Sequence, residues 1–412
     1  MWMLPFSFPA VNRALTVTAA HLSFAVALAE DWPNYRGPQL DGISREAGLL
    51  DSGQAEIAWQ TEVGLGYSSP VVAGGRVVVS GHDGEQQDTL FCLDEKNGTV
   101  KWKFTYDQPI GDLYFQGGTT GTPTIDGGRV YHVAREGEVF CLDFDDGKVV
   151  WKKHLQDDFG YSKPTWGFTG APLVLGSTLY INAGLSGVAL NKNNGGVVWK
   201  SEDEEAGYSS PLPLEKGGDQ YLIFSSKRFY TCVEQETGEA VWQHRWMTRY
   251  GVNAADPVLS GDYIFISSGY GKGAALLEWK GEGKPRKVWQ TREMKTQMNA
   301  AVLIDGHLYG VDGNENQDGT GLKCLELTSG KTKWLETAVG HGTVVGVQGR
   351  LLVLTEEGEL QVAPATPSGY EPAFSQQVLE PRVWTVPVFA NGTVYCRNAS
   401  GSLVAVAMSK KS

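Results

Sequence analysis

An eight-bladed, all-β propeller of four-stranded antiparallel blades is the fold this sequence predicts. Three observations carry that reading: a tryptophan-centred repeat, a second glycine turn upstream of each copy, and one strand left over near the N-terminus. The repeat reads LDEKNGTVKW to Trp102 and LDFDDGKVVW to Trp151, then LNKNNGGVVW to Trp199, VEQETGEAVW to Trp242 and LELTSGKTKW to Trp334. Glycine stands four residues before each of these tryptophans, as Gly98, Gly147, Gly195, Gly238 and Gly330. Trp289 ends a looser copy, WKGEGKPRKVW, and Trp59 occupies the same slot ahead of the first. Successive tryptophans lie 43 to 49 residues apart, a period that marks a stacked repeat architecture.

Each copy resolves into strands and turns. Apolar runs such as Thr89 to Leu93 and the run after the glycine are strand-like, so the Asp/Asn-x-x-x-Gly between them is a hairpin turn in which glycine supplies positive φ. A second hairpin precedes it, turning at Gly74-Gly75, Gly127-Gly128, Gly176, Gly218, Gly261, Gly306, Gly349 and Gly392. Four strands, A to D, thus recur eight times, which is the signature of propeller blades. The last unit holds only three strands, and Ile57 to Val63 supplies its fourth. That arrangement hides the two sheet edges an open ring would expose. Residues 57–408 are read as one propeller, 30–56 as a lead-in segment and 409–412 as a tail.

The chain before the repeats has a different character. Residues 1–29 carry one charge, Arg13, then an apolar stretch that ends in Ala27-Leu28-Ala29. This is the pattern of a secretory signal peptide cleaved before Glu30, and it places the protein in the periplasm or outside the cell. The apolar stretch is shorter than the roughly 20 residues that span a bilayer, so no transmembrane span is expected in the mature chain. No cysteine precedes Cys92, so a lipid-anchored N-terminal cysteine is not expected either. The chain holds 35 basic and 47 acidic residues, a net charge of −12, which repels a phosphate backbone and argues against nucleic-acid binding. Five cysteines, odd in number and without a C-x-x-C or vicinal pair, read as small buried hydrophobes in strands.

These units resemble the pyrroloquinoline-quinone-like (PQQ-like) propeller repeat, whose tryptophan-docking motif runs roughly A-x-D-x-x-T-G-K-x-x-W. VEQETGEAVW and LELTSGKTKW are the best local matches, and the resemblance covers about residues 57–408. It implies that Trp59, Trp102, Trp151, Trp199, Trp242, Trp289 and Trp334 pack between adjacent blades, with Phe374 as substitute in the seventh. Trp32 to Gly42 also looks like the lead-in of secreted bacterial members. The resemblance implies two function classes. One is a binding or scaffold propeller of the envelope, similar to outer-membrane-protein assembly factors. The other is a quinoprotein alcohol dehydrogenase that uses PQQ and Ca²⁺. The vicinal Cys–Cys typical of the second class is absent here, and no catalytic residue is assigned.

Both glycine turns lie on one face of a blade, so the D–A and B–C connections share the other, where function favours loops on a rigid scaffold. The segments that enter the innermost strand A carry Tyr67, Thr120, Trp166, Tyr208, Arg249, Asn253, Asn299, His341 and Trp384. Only ring closure brings these together, as a funnel of aromatics, an arginine and amides suited to a small planar or hydroxyl-rich ligand. Trp32, outside the repeats, is expected to matter little for stability. The long loops 103–122 and 152–171, with Tyr106, Ile110, Leu113, Tyr114, Phe115, Phe159 and Tyr161, are the alternative: an apolar patch for an envelope protein partner. In the loop Asp312-Gly-Asn314-Glu-Asn316-Gln-Asp318, alternating oxygen-bearing side chains could hold a hard cation such as Ca²⁺. Neither a P-loop nor a G-x-S-x-G elbow occurs.

Overall fold

The computed structural model describes Met1 and residues 29–49, 54–113 and 115–409. The expected leader falls outside the described residues apart from its two ends, as do Tyr114 and the tail after Ser409. The described residues form eight sheets, each with the strand order A-B-C-D expected of a blade. In blade 1 the strands are Val71–Ala73, Arg76–His82, Gln87–Asp94 and Val100–Asp107. Blade 8 closes the ring: strand Gln54–Glu62 pairs antiparallel with Ser402–Ser409, beginning three residues earlier than the sequence indicated. Blade 7 gains a fifth strand, Ile43–Ser44, which runs parallel to Thr343–Val347 along its inner edge.

The core is divided among the joints between blades. Alternation along each strand aims one set of apolar side chains at each neighbouring blade, and each buried cluster draws on two adjacent sheets. One cluster joins Tyr131, Val139 and Trp151 of blade 2 to Leu179, Ile181 and Leu190 of blade 3. Cys92, Cys141, Cys232 and Cys324 sit directly opposite Trp102, Trp151, Trp242 and Trp334 across the C–D ladder. All five thiols are free and buried, and burial pushes Cys92 up to about 11, so they act as packing.

Each repeat tryptophan reaches the blade that follows. Trp59 Nε1 donates to Glu95 O at 2.9 Å, Trp102 to Phe144 O at 2.9 Å and Trp151 to Lys192 O at 2.9 Å. Trp199, Trp289 and Trp334 donate in the same way to Gln235 O, Leu327 O and Thr366 O. The repeat glycine receives the ring: at Gly147 (φ 73°) an added Cβ would lie 2.6 Å from Trp102. Gly98, Gly195, Gly238 and Gly330 face Trp59, Trp151, Trp199 and Trp289 likewise. In blade 7, Phe374 is buried beside Val404 and Val406 of blade 8, while the Gln376 amide bonds both the N–H and the C=O of Ala55.

Trp242 differs because blade 5 replaces the regular turn with Trp279-Lys-Gly-Glu-Gly. Its buried Nε1 has no hydrogen-bond partner among the described residues, and the ring meets Trp279 nearly edge-on with centroids 5.9 Å apart. The expected outcome is that Trp102→Phe costs about 1 kcal/mol more than Trp242→Phe, the net worth of one buried hydrogen bond. Paired denaturant midpoints measure this, since the loss of ring size is common to both.

The lead-in is not peripheral, contrary to the expectation for Trp32. Its ring is fully buried among Trp59, Val72 and Val388, and its backbone exchanges two hydrogen bonds with Val72, at 2.7 and 2.9 Å. The segment then crosses the central channel. Pro33 O accepts from Ile125 N of blade 2, and Arg36 Nη2 donates to Ala301 O at the start of blade 6. The Glu46 carboxylate accepts from Asn391 and Gly392, the A–B turn of blade 8.

Candidate functional site

A cavity of about 230 Å³ occupies the ring axis on the side of the D–A connections. Seven of the eight D–A segments line it, joined by two B–C loops and by Tyr35 of the lead-in. The walls combine seven aromatics, Tyr35, Tyr67, Phe115, Trp166, Tyr208, Tyr270 and Trp384, with the hydroxyls of Ser69, Thr120, Thr122, Thr169 and Ser210. Asn299 and Gln297 add amides, and Asp256 and Glu315 add carboxylates. Among the described residues, no lysine or arginine lines the cavity.

The walls are held by hydrogen bonds between neighbouring segments. Trp166 N donates to Tyr208 Oη at 3.5 Å, with the two rings edge-to-face and centroids 5.8 Å apart. Thr169 Oγ1 donates to Tyr208 O, and Ser69 N to Thr122 Oγ1. Tyr67 stacks on Trp384 at 5.3 Å, His341 meets that ring edge-on and the Arg382 guanidinium lies over it at 4.7 Å. Trp384 Nε1 is committed to Glu356. Gln297 spans two loops, donating to Tyr270 Oη at 3.1 Å and accepting from Glu315 N at 2.8 Å. Burial pushes the Asp256 carboxyl up to about 6, against the pull of Arg36 and of the Ser210 N–H. Among the described residues, Glu315 Oε2 and Thr120 Oγ1 are buried without a hydrogen-bond partner, a state native structures rarely leave unanswered.

Six of the nine funnel residues read from the sequence line this cavity: Tyr67, Thr120, Trp166, Tyr208, Asn299 and Trp384. His341 stands behind the lining, against Trp384. Two others are corrected. Arg249 is exposed over the ring of Tyr250, outside the cavity. Asn253 is fully buried, its Nδ2 donating to Ser226 O and Trp246 O and its Oδ1 accepting from Ser268, so it is spent on fastening the segment. Tyr35, Asp256, Tyr270 and Glu315 were missed. Tyr270 and Glu315 lie on B–C loops of the same face, and only their adjacency to the D–A segments could have signalled them.

The loop proposed for a cation is occupied by protein. The buried Asp312 carboxylate lies between the Lys295 and Lys323 ammonium groups, and Asn314 Oδ1 accepts from Tyr270 N at 2.9 Å. Asn316 and Asp318 are exposed on the turn beyond. The apolar patch is only partly exposed: Phe159 and Tyr161 are buried between blades 2 and 3 and Phe115 faces the cavity, while Leu113 is 47% exposed.

The residues present do not fit PQQ with Ca²⁺. PQQ is a tricarboxylate, and carboxylates are held by charge-assisted bonds from arginine or lysine. Here the walls present two carboxylates instead. Ca²⁺ asks for six to eight oxygen ligands, and among the described residues no three His, Cys, Asp or Glu side chains are grouped to hold a metal.

Comparison with known proteins places the chain among propellers of this type. A family model described as Outer membrane protein assembly factor BamB matches residues 86–336, more than half of the chain. No curated protein matches. Among solved structures, BamB from Moraxella catarrhalis aligns with a TM-score of 0.61 and 15% identity, over 85% of this chain and 98% of its own. A europium-containing methanol dehydrogenase aligns at 0.70 and 13%, over 92% and 98%. The quinohemoprotein alcohol dehydrogenase of Comamonas testosteroni aligns at 0.65 and 14%, over 94% and 82%. At such identities the likeness shows a shared fold and nothing finer.

Proposed function

The chain belongs to the family described as the outer membrane protein assembly factor BamB, and from that premise we propose an exported envelope propeller that captures a small, hydroxyl-rich ligand in its axial cavity. The observation that carries the reading is the wall itself, with aromatic faces for the apolar side of a ligand and uncommitted polar atoms of Thr120 and Glu315 for its hydroxyls. Stacking orients such a ligand and hydrogen bonds select it. Export is supported by the Ala27-Leu28-Ala29 cleavage pattern before Glu30. The seven repeat tryptophans serve as docking residues that hold the ring around the site. The family description also favours a protein partner, and Leu113, Met247 and Tyr250, each 40–51% exposed, offer that partner an apolar foothold on the loops.

Calorimetric titration of the mature protein with neutral aldohexoses, aldopentoses and alditols tests the ligand. At least one compound is expected to bind, and Trp166→Ala should weaken it by roughly tenfold or more, the worth of a stacking ring. The alternative, a PQQ- and Ca²⁺-dependent alcohol dehydrogenase, predicts instead a shifted quinone absorbance when both are added. That shift, with no sugar binding, would overturn the reading.

A further inference from the structure

The lead-in meets the axial cavity at its inner end. The Asp31 carboxylate accepts from Gly74 N and Glu46 accepts from the A–B turn of blade 8, so the segment crosses the channel on the side of the A–B turns, away from the D–A loops. Tyr35 rises from it into the cavity lining. Its Oη donates to Asn299 Oδ1 at 3.0 Å, and Asn299 Nδ2 donates onward to Trp384 O at 3.0 Å. The Tyr35 proton is therefore committed to protein, and the oxygen faces a ligand with lone pairs only.

Asp256 lines both the main cavity and a second one of about 20 Å³, which Tyr35 and Arg36 also line; that is room for one water. Asp256 Oδ1 accepts from Ser210 N at 2.7 Å. Arg36 is anchored by Nη2 to Asp41 O and Ala301 O, while its buried Nη1 has no hydrogen-bond partner among the described residues. Arg36 and Asp256 thus border the small cavity together without a direct ion pair, and the guanidinium's charge favours the ionised form of Asp256, an acceptor.

We propose that residues 30–46 are a working part of the ligand site: they floor the axial channel, and Tyr35 with Asp256 makes the floor a pair of hydrogen-bond acceptors that reads a donor group at the buried end of the ligand. This rests on the ligand reading above and narrows it. The floor accepts a hydroxyl-bearing end and rejects a carboxylate-bearing one, because an anion there would face Asp256 without a proton to share. The segment outside the repeats is thus a specificity element of the repeats' own cavity.

The test uses the mature chain and matched pairs: each neutral aldohexose beside its uronic acid and its aldonic acid. Wild-type protein is expected to bind a neutral sugar and to bind its acids more weakly by at least roughly tenfold. Tyr35→Phe keeps the ring and removes the acceptor together with its hydrogen bond to Asn299; it should weaken the neutral sugar by roughly tenfold while thermal unfolding shifts by no more than the loss of one hydrogen bond explains. Asp256→Asn should narrow the gap between the sugar and its acid. If Trp166→Ala abolishes binding but Tyr35→Phe and Asp256→Asn match wild type in both affinity and acid discrimination, the floor proposal is overturned and the ligand reading stands. A wild-type protein that binds none of the sugars overturns both.

Discussion

A chain that starts at Val63 is expected to lose cooperative unfolding altogether, whereas one that starts at residue 51, although weakened by the loss of Trp32 and the rest of the lead-in, keeps a cooperative transition. The difference is the strand Gln54–Glu62, which pairs with Ser402–Ser409 at eight positions. It also carries Trp59 into the joint with blade 1 and Ala55 into the joint with blade 7. Without it, Ser402–Ser409 becomes an open edge displaying Val404 and Val406, an invitation to pair with another chain. Two of the eight joints open at once. Deleting one buried tryptophan already costs about 3–5 kcal/mol, so losing Trp59 together with its strand exceeds the roughly 5–15 kcal/mol margin of an ordinary domain. Circular dichroism melts and light scattering of the two truncations decide it. A sharp transition in the shorter chain would mean that the ring does not depend on this closure.

The blades were legible because every one solves the same packing problem with the same residues. Glycine must stand where the next tryptophan ring arrives, as Gly147 does against Trp102, so the pair recurs at fixed spacing and is read as a period. The closing strand was legible by subtraction, as a tryptophan-bearing run without a blade of its own. Where neighbours deviate, the pattern weakens: Trp242 keeps its slot but faces Trp279 instead of a turn carbonyl.

The site was legible only in outline. Position in a D–A segment says that a residue approaches the axis, and six of nine such residues reach the cavity. Position does not say which way the side chain turns. Asn253 turns back to bind Ser226 O and Trp246 O, since a segment that leaves a strand must satisfy its carbonyls somewhere. Tyr35 was beyond reach for another reason. The lead-in has no repeat partner, so nothing in the period fixes where it lies, and its path through the channel follows from contacts more than 200 residues away, such as Tyr35 with Asn299.

Trp32→Ala is expected to destabilise the protein about as much as Trp151→Ala, by about 3–5 kcal/mol each, the range for truncating a large buried aromatic. The two residues reach that cost by different routes. Trp151 is a repeat residue wedged between blades 2 and 3, with its Nε1 on Lys192 O. Trp32 has no repeat role, yet no part of it meets solvent: it packs in the joint of blades 8 and 1, and a Cβ at Gly37 would lie 2.8 Å from its ring. Its Nε1 is buried with no hydrogen-bond partner among the described residues, so Trp32→Phe keeps most of the stabilisation, while Trp151→Phe also forfeits a hydrogen bond worth about 1 kcal/mol. The two alanine variants should separate in function. Trp32→Ala loosens the segment that carries Tyr35, so sugar affinity should fall even at temperatures where the ring is folded. Trp151→Ala lies outside the cavity wall and should leave affinity unchanged in the folded fraction. Denaturant midpoints at matched m-values give the stabilities, and titration well below each midpoint gives the affinities. A Trp32→Ala protein with a loss under about 1 kcal/mol and unaltered sugar binding would show the lead-in to be an attachment of the ring and not a component of it.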